Sequence, residues 1–268
     1  MIITALLGPT VSALVRARHL ALSVALVPSL LALDAAPRAA FDSGERLVYA
    51  ARAGRGLNGR AEMWIGESVD VRGVRTIPLH SDIAGGFGPL KTWDRTTSWF
   101  DPSRSASLRF VKEERNPFGG RHSEDIEIDA HARSWKAVDG RNGVTQSDQP
   151  LDELSFIYAL RTMSIPEDST IVLNRHYDAD RNPTTLRSLG RSSVETPAGT
   201  FATREIEMRV RDARRYRGEG VIRISLSDDV CRRPVRIESK IPNAGNVVMT
   251  LTSAEPVIAE CSGKETTR

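Results

Sequence analysis

The sequence predicts a mainly β protein, an antiparallel meander forming a curved sheet or open barrel packed around one helix. Three observations carry this expectation. Apolar residues alternate with polar ones at period two through most of the chain after Phe41, the mark of half-buried strands. The alternating runs are separated by turn-forming residues and not by helices, so neighbours in sequence should pair antiparallel. One stretch, 151–163, changes to helical period. A sheet of about ten or more twisted strands tends to curl or close, and a helix on its concave side gives both an apolar surface to bury.

The elements follow in order. Leu47, Tyr49 and Ala51 mark a first strand, Asn58-Gly59 reads as a hairpin turn, and Ala61, Met63 and Ile65 resume the alternation. Strands are expected over 69–82, 92–100, 106–113, 124–130 and 134–138, broken at 85–89, Asp101-Pro102 and Asn116-Pro117. In 149–161, Leu154, Ile157, Tyr158 and Arg161 fall at helical spacing. Pro150 precedes them, and Asp152 and Glu153 suit the positive end of a helix dipole. Six further runs follow at 170–177, 184–195, 201–211, 220–227, 234–241 and 246–253, with 196–200 as a tight turn. Residues 41–268 are read as one β-rich domain.

Residues 1–40 read as a signal peptide: Arg16, Arg18 and His19 precede the apolar run 20–33, and small residues around Asp34 to Ala40 follow. That run is shorter than the roughly 20 residues a spanning helix needs, and Pro28 interrupts it. An uncleaved anchor is therefore the weaker reading, and cleavage is expected near Phe41. A second apolar stretch, 1–14, precedes the basic cluster, which is the placement expected if translation starts near Val11 or Val15. No cysteine follows the apolar run, so no lipoprotein anchor is expected.

The formal charge of +3 and pI of about 9.1 owe much to three arginines and one aspartate within 1–40. What remains is close to neutral, which argues against nucleic acid as a partner. Cys231 and Cys261 are the two cysteines, and export into an oxidising compartment favours a bridge between them. A turn at 242–245 brings the tail back towards Cys231, and the bridge would stabilise by about 3.7 kcal/mol in the chain-entropy treatment. Two unrelated thiols are the other reading.

The segments Leu151-Asp-Glu-Leu-Ser-Phe-Ile-Tyr-Ala-Leu-Arg161, Val194-Glu-Thr-Pro-Ala-Gly-Thr-Phe-Ala202 and Ile224-Ser-Leu-Ser-Asp-Asp229 with Arg233-Pro-Val235 resemble the bacterial exported family called domain of unknown function 3108. The opening 41–49 and the turn 58–61 fit its N-terminal pattern. Ser225 departs from it, standing where an aromatic residue is expected. The resemblance implies an exported, β-rich envelope protein and carries no established activity. Its shape is similar to that of periplasmic carriers whose curved sheet cradles acyl chains, an analogy of fold alone.

No complete catalytic or metal motif is present. Gly54-Arg-Gly-Leu-Asn-Gly59 matches a dinucleotide pattern in letters, but a strand follows where that chemistry needs a helix. Asp178-Ala-Asp-Arg-Asn182 spaces oxygen ligands as a calcium loop does, yet Pro183 and Leu189 occupy the positions that need glycine and glutamate. His80, His122, His131 and His176 are scattered and read as surface or satisfied strand residues. Asp152 should cap the helix and Arg161 should pair with a strand carboxylate. No catalytic residue, metal ligand or cofactor is assigned.

The leading expectation is an exported, non-enzymatic protein holding a lipid or other hydrophobic ligand against the helix face of Leu154, Ile157, Tyr158 and Arg161. The alternatives are an envelope assembly factor that binds another protein along a sheet edge, and a hydrolase without recognisable motif.

Overall fold

The computed structural model describes residues 43–54, 56–87, 90–116, 120–216, 218–241, 245–256 and 261. The signal segment expected over 1–40 lies outside them. Strands dominate: β1 (Arg46–Ala53), β2 (Leu57–Ile65), β3 (Val69–Val71), β4 (Val74–Phe87), β5 (Leu90–Asp101), β6 (Ala106–Asn116), β7 (Gly120–Asp129), β8 (Ser134–Ala137) and β9 (Asn142–Val144). The helix α1 (Glu153–Leu160) follows, then β10 (Thr170–Leu173), β11 (Thr184–Thr196), β12 (Gly199–Asp212), β13 (Gly218–Ser227), β14 (Pro234–Ile241) and β15 (Gly245–Glu255). A single helical turn, Ala213–Tyr216, joins β12 to β13.

Every ladder is antiparallel, and the strands form one sheet in the order β10 to β15, then β1, β2 and β4 to β9, with β3 paired to β4. Among the described residues no ladder joins β9 to β10, so the sheet does not close into a barrel. The first and last strands meet at its centre: β1 pairs with β15 from Arg46↔Glu255 to Ala53↔Val247. The break in the meander falls where α1 is inserted. β11 also approaches β14 and β15, strands three and four places away, as a strongly curled sheet requires.

The main core fills the concave side. It gathers Leu47 and Tyr49 from β1, Met63 and Ile65 from β2, Leu79 from β4, Leu186, Ile206, Met208 and Ile224 from β11 to β13, and Leu251 from β15 around Leu154, Phe156, Tyr158 and Leu160 of α1. A smaller cluster of Phe110, Ile126, Ile128 and Tyr177 lies at the β6–β8 end. Inward residues of strands far apart in the ladder thus share one helix, which is the packing that the period change at 151–163 predicts.

Some local expectations are corrected. The first hairpin does not turn at Asn58-Gly59. Ala53 pairs with Leu57, and the chain reverses at Gly54 and Gly56, with φ of +48° and +89°. Gly59 lies inside β2 because β4 crosses it closely: a Cβ there would stand 2.4 Å from the Ala84 carbonyl oxygen. The run 69–82 is two strands, since Arg72 and Gly73 take φ of +54° and +80° in a tight turn between β3 and β4. β4 runs through Gly85-Gly86 to Phe87, past the expected break. The helix is shorter than its pattern, eight residues.

Eight residues form too short a helix to stand alone, and α1 is held at both ends. Asp152 Oδ1 accepts the backbone N–H groups of Leu154 and Ser155, each at 2.9 Å, while its own N–H donates to Ser155 Oγ at 2.8 Å, a capping box. Ser98 Oγ of β5 donates to Asp152 Oδ2 at 2.5 Å, and Ser107 Oγ of β6 donates to Ser155 Oγ at 2.7 Å, which docks the helix start onto the sheet. Burial nonetheless pushes the Asp152 carboxyl up from its ordinary range, against the pull of its Ser155 N–H and Ser98 hydrogen bonds.

At the other end Arg161 is 1 % exposed and grips Glu45, the residue before β1, through two parallel hydrogen bonds of 2.5 and 2.8 Å. It also donates to the Cys231 carbonyl at 2.9 Å. Arg233 meets the same Glu45 at 3.4 Å and donates to the Pro256 carbonyl at 3.0 Å. Cys231 and Cys261 are joined by a disulfide. The end of α1, the start of β1, the turn before β14 and the tail after β15 therefore meet at one buried ionic node.

Removing one member of a buried pair strands the other's charge and costs about 3–5 kcal/mol, whereas exposed pairs contribute about 0–1 kcal/mol. Urea unfolding should show Arg161→Ala destabilised by about 3–5 kcal/mol, and Arg60→Ala, which removes an exposed partner of Glu62, by less than about 1 kcal/mol. Equal small losses would contradict the role given to the node.

Candidate functional site

A cavity of about 140 Å³ lies between α1 and both arms of the curled sheet. Its wall has two characters. Ile83 of β4, Leu154, Phe156 and Ile157 of α1, Met208 and Val210 of β12, and Ile222 of β13 give an apolar floor, with Tyr216 from the helical turn beside them. The inward parity of β4, β12 and β13 delivers these side chains, because every second residue faces the helix.

The polar side is a chain of alternating charges. Asp94 Oδ2 of β5 meets Lys112 Nζ of β6 at 3.2 Å, and Lys112 Nζ donates to Glu153 Oε2 at 2.7 Å. Glu153 Oε1 accepts from Arg181 Nη1 at 2.9 Å, and the same nitrogen stands 3.5 Å from Asp212 Oδ2 of β12. The chain bridges the two arms across the break in the meander. Glu153, in the first turn of α1, is its centre, where the helix dipole favours a negative charge. Burial alone would lower the Arg181 pKa, but Glu153, Tyr177 and Asp212 raise it overall, so the guanidinium stays charged.

His176 completes the wall. It sits in an isolated parallel bridge with Leu151, outside the strands. The Asn182 side chain clamps its backbone, accepting its N–H at 2.9 Å and donating to its carbonyl at 3.0 Å. The ring packs on Tyr177, centroids 4.6 Å apart, and Nδ1 accepts the Asp178 N–H at 3.1 Å. That bond places the proton on Nε2. Burial, reinforced by the Arg181 charge, lowers its pKa to about 3, with Glu153 and Asp212 offsetting part of the shift. The ring is neutral at physiological pH.

Of the residues picked from the sequence, Leu154 and Ile157 line the cavity. Tyr158 and Arg161 do not: the guanidinium lies 5.5 Å from the Tyr158 ring centroid, within the node around Glu45. Arg161 was expected to pair with a strand carboxylate; it pairs with a carboxylate, but Glu45 precedes β1 and lies outside the strand. The 178–182 segment is a 3₁₀ turn, with Asp178 Oδ1 accepting from Asp180 N and Arg181 turned into the ion chain. His176, read from the sequence as a surface or satisfied strand residue, is buried in the cavity wall. The local signal for it is the Asp-rich turn just after it, whose Asp178 N–H fixes the imidazole.

Lys112 and Arg181 engage the carboxylates that line this wall, Asp94, Glu153 and Asp212.

The family model described as "Protein of unknown function (DUF3108)" matches residues 48–252. No curated protein matches the sequence. Among solved structures, a beta-barrel-like protein of domain of unknown function DUF1849 from Brucella abortus is similar with a TM-score of 0.56 at 12 % identity, covering 79 % of this chain and 97 % of its own. It shows the fold alone. A structure from Parabacteroides distasonis bearing the name "putative lipoprotein" aligns with a TM-score of 0.30 at 11 % identity, covering 80 % of this chain and 96 % of its own, a likeness too low to carry any argument.

Because the folded-state pKa of His176 lies below the ordinary value of about 6.5, the unfolded chain takes up that proton first as pH falls. Stability is therefore lost on acidification from about pH 6.5 towards 3, by up to about 1.4 kcal/mol per pH unit for this one proton. Urea unfolding between pH 7 and 4.5 should give a shallower acid loss for His176→Phe than for the parent. Parallel curves would show that His176 titrates normally.

Proposed function

This chain belongs to the DUF3108 family, and for it we propose an exported, non-catalytic binding protein that holds a small hydrophobic molecule, or the apolar end of a larger one, between α1 and the sheet. The observation that supports this reading is the cavity with its apolar floor of Leu154, Phe156, Ile157, Met208 and Ile222. Its size narrows the ligand. An apolar cavity of about 150 Å³ accepts benzene, whereas drug-sized ligands occupy about 300–1,000 Å³. The space suits one ring or a short alkyl segment, and a whole diacyl lipid is too large. Among the described residues no helix is long and apolar enough to cross a membrane, and the disulfide fits an oxidising compartment.

A second reading is favoured by a different observation. β10 ends the ladder at one edge, and Val172 on it is 61 % exposed. An open edge of this kind can accept a strand from an envelope protein.

Native mass spectrometry of protein purified from its own host, followed by organic extraction, tests the first reading. We expect a stoichiometric small apolar compound, and its loss in Ile157→Trp, whose larger side chain fills the cavity while urea stability is kept. A clean apoprotein mass would count against the cavity reading. Photocrosslinking from position 172 in cells should then trap a discrete partner if the edge is the functional surface, and no adduct would argue against that reading as well.

A further inference from the structure

We propose that His176 is the polar anchor of this cavity, donating Nε2–H to a neutral oxygen acceptor, a carbonyl or hydroxyl, on an otherwise apolar ligand of about benzene size. The inference rests on the cavity reading above and specifies the ligand's chemistry.

His176 is 6 % exposed and lines the cavity. Its Nδ1 is occupied by the Asp178 N–H, so Nε2 carries the hydrogen and needs an acceptor. Among the described residues Nε2 has none. Buried polar groups are rarely left unmatched, and one that lines a cavity marks where a ligand atom completes the bond. The position is held in advance by the Asn182 clamp, the Tyr177 ring and the Leu151 bridge, so the bond forms without ordering the segment first.

The neighbourhood selects the acceptor's charge. Asp94, Glu153 and Asp212 face the same space, Lys112 and Arg181 are already shared among them, and Arg211, the third cation of the lining, is exposed to solvent. A carboxylate ligand would add a fourth negative group beside a ring that burial keeps neutral. A carbonyl or hydroxyl oxygen accepts the same hydrogen without that repulsion. A hydrocarbon of equal size would leave the donor unmatched.

The test measures binding of toluene, acetophenone, benzyl alcohol and benzoate to the purified protein by ligand-observed NMR, with imidazole ¹⁵N spectra of His176 alongside. The parent should bind acetophenone and benzyl alcohol about tenfold more tightly than toluene, with benzoate weaker than acetophenone. Acetophenone should move the His176 Nε2 resonance. In His176→Phe the preference over toluene should vanish while toluene binding stays within about twofold, since the apolar floor is untouched.

Equal affinities for toluene and acetophenone in the parent overturn the anchor and leave the cavity reading standing, and so does a preference that survives in His176→Phe. Tightest binding of benzoate overturns the neutral-acceptor assignment. Binding of none of the four overturns the cavity reading itself. Should His176→Phe fail to fold, the parent's discrimination and the Nε2 resonance decide the matter without it.

Discussion

The seating of an eight-residue helix is the constraint on which the rest of the structure depends. α1 is too short to persist in water by its own hydrogen bonds, yet it supplies the apolar surface against which distant parts of the sheet pack. Its start is fixed by the Asp152–Ser155 capping box with Ser98 and Ser107, and its end by Arg161 on Glu45 and the Cys231 carbonyl. These contacts reach β5, β6, the residue before β1 and the disulfide-bearing turn. The curl of the sheet and the placement of the helix are thus one arrangement.

The cavity follows from that arrangement. α1 sits where the meander breaks, and a cavity remains that is lined by Ile157 of the helix and by Met208 and Ile222 of the sheet. The charge chain from Asp94 to Asp212 spans the same break and ties β5, β6 and α1 to β12. Polar groups there join the arms where, among the described residues, no backbone ladder does, and the neutral His176 lies in the same wall.

Much of the architecture was legible because strand parity is a local property. The alternation around Leu47, Ile206 and Leu251 marks the inward face without knowledge of any partner, and the helical period around Leu154 marks the one element that breaks it. Capping by Asp152 was readable for the same reason. Turn positions were less so. Asn58-Gly59 looked like the hairpin because its dipeptide favours left-handed φ, while the glycine at 59 answers instead to the close passage of Ala84 and Gly85 on β4, a long-range contact that no local pattern records.

The cavity wall was half legible. Leu154 and Ile157 lie in it because an apolar helix stripe must face something, but the stripe does not say which part of it meets open space and which part meets the Glu45 node. The burial of His176 in that wall was not legible, because its placement depends on Asn182, Tyr177 and Leu151, brought together only by the fold. The most direct test of the central claim is a xenon-pressurised crystal of the protein. One xenon atom is expected against Ile157, Met208 and Ile222, and a crystal whose apolar space takes up no xenon there would contradict the presence of an open apolar cavity.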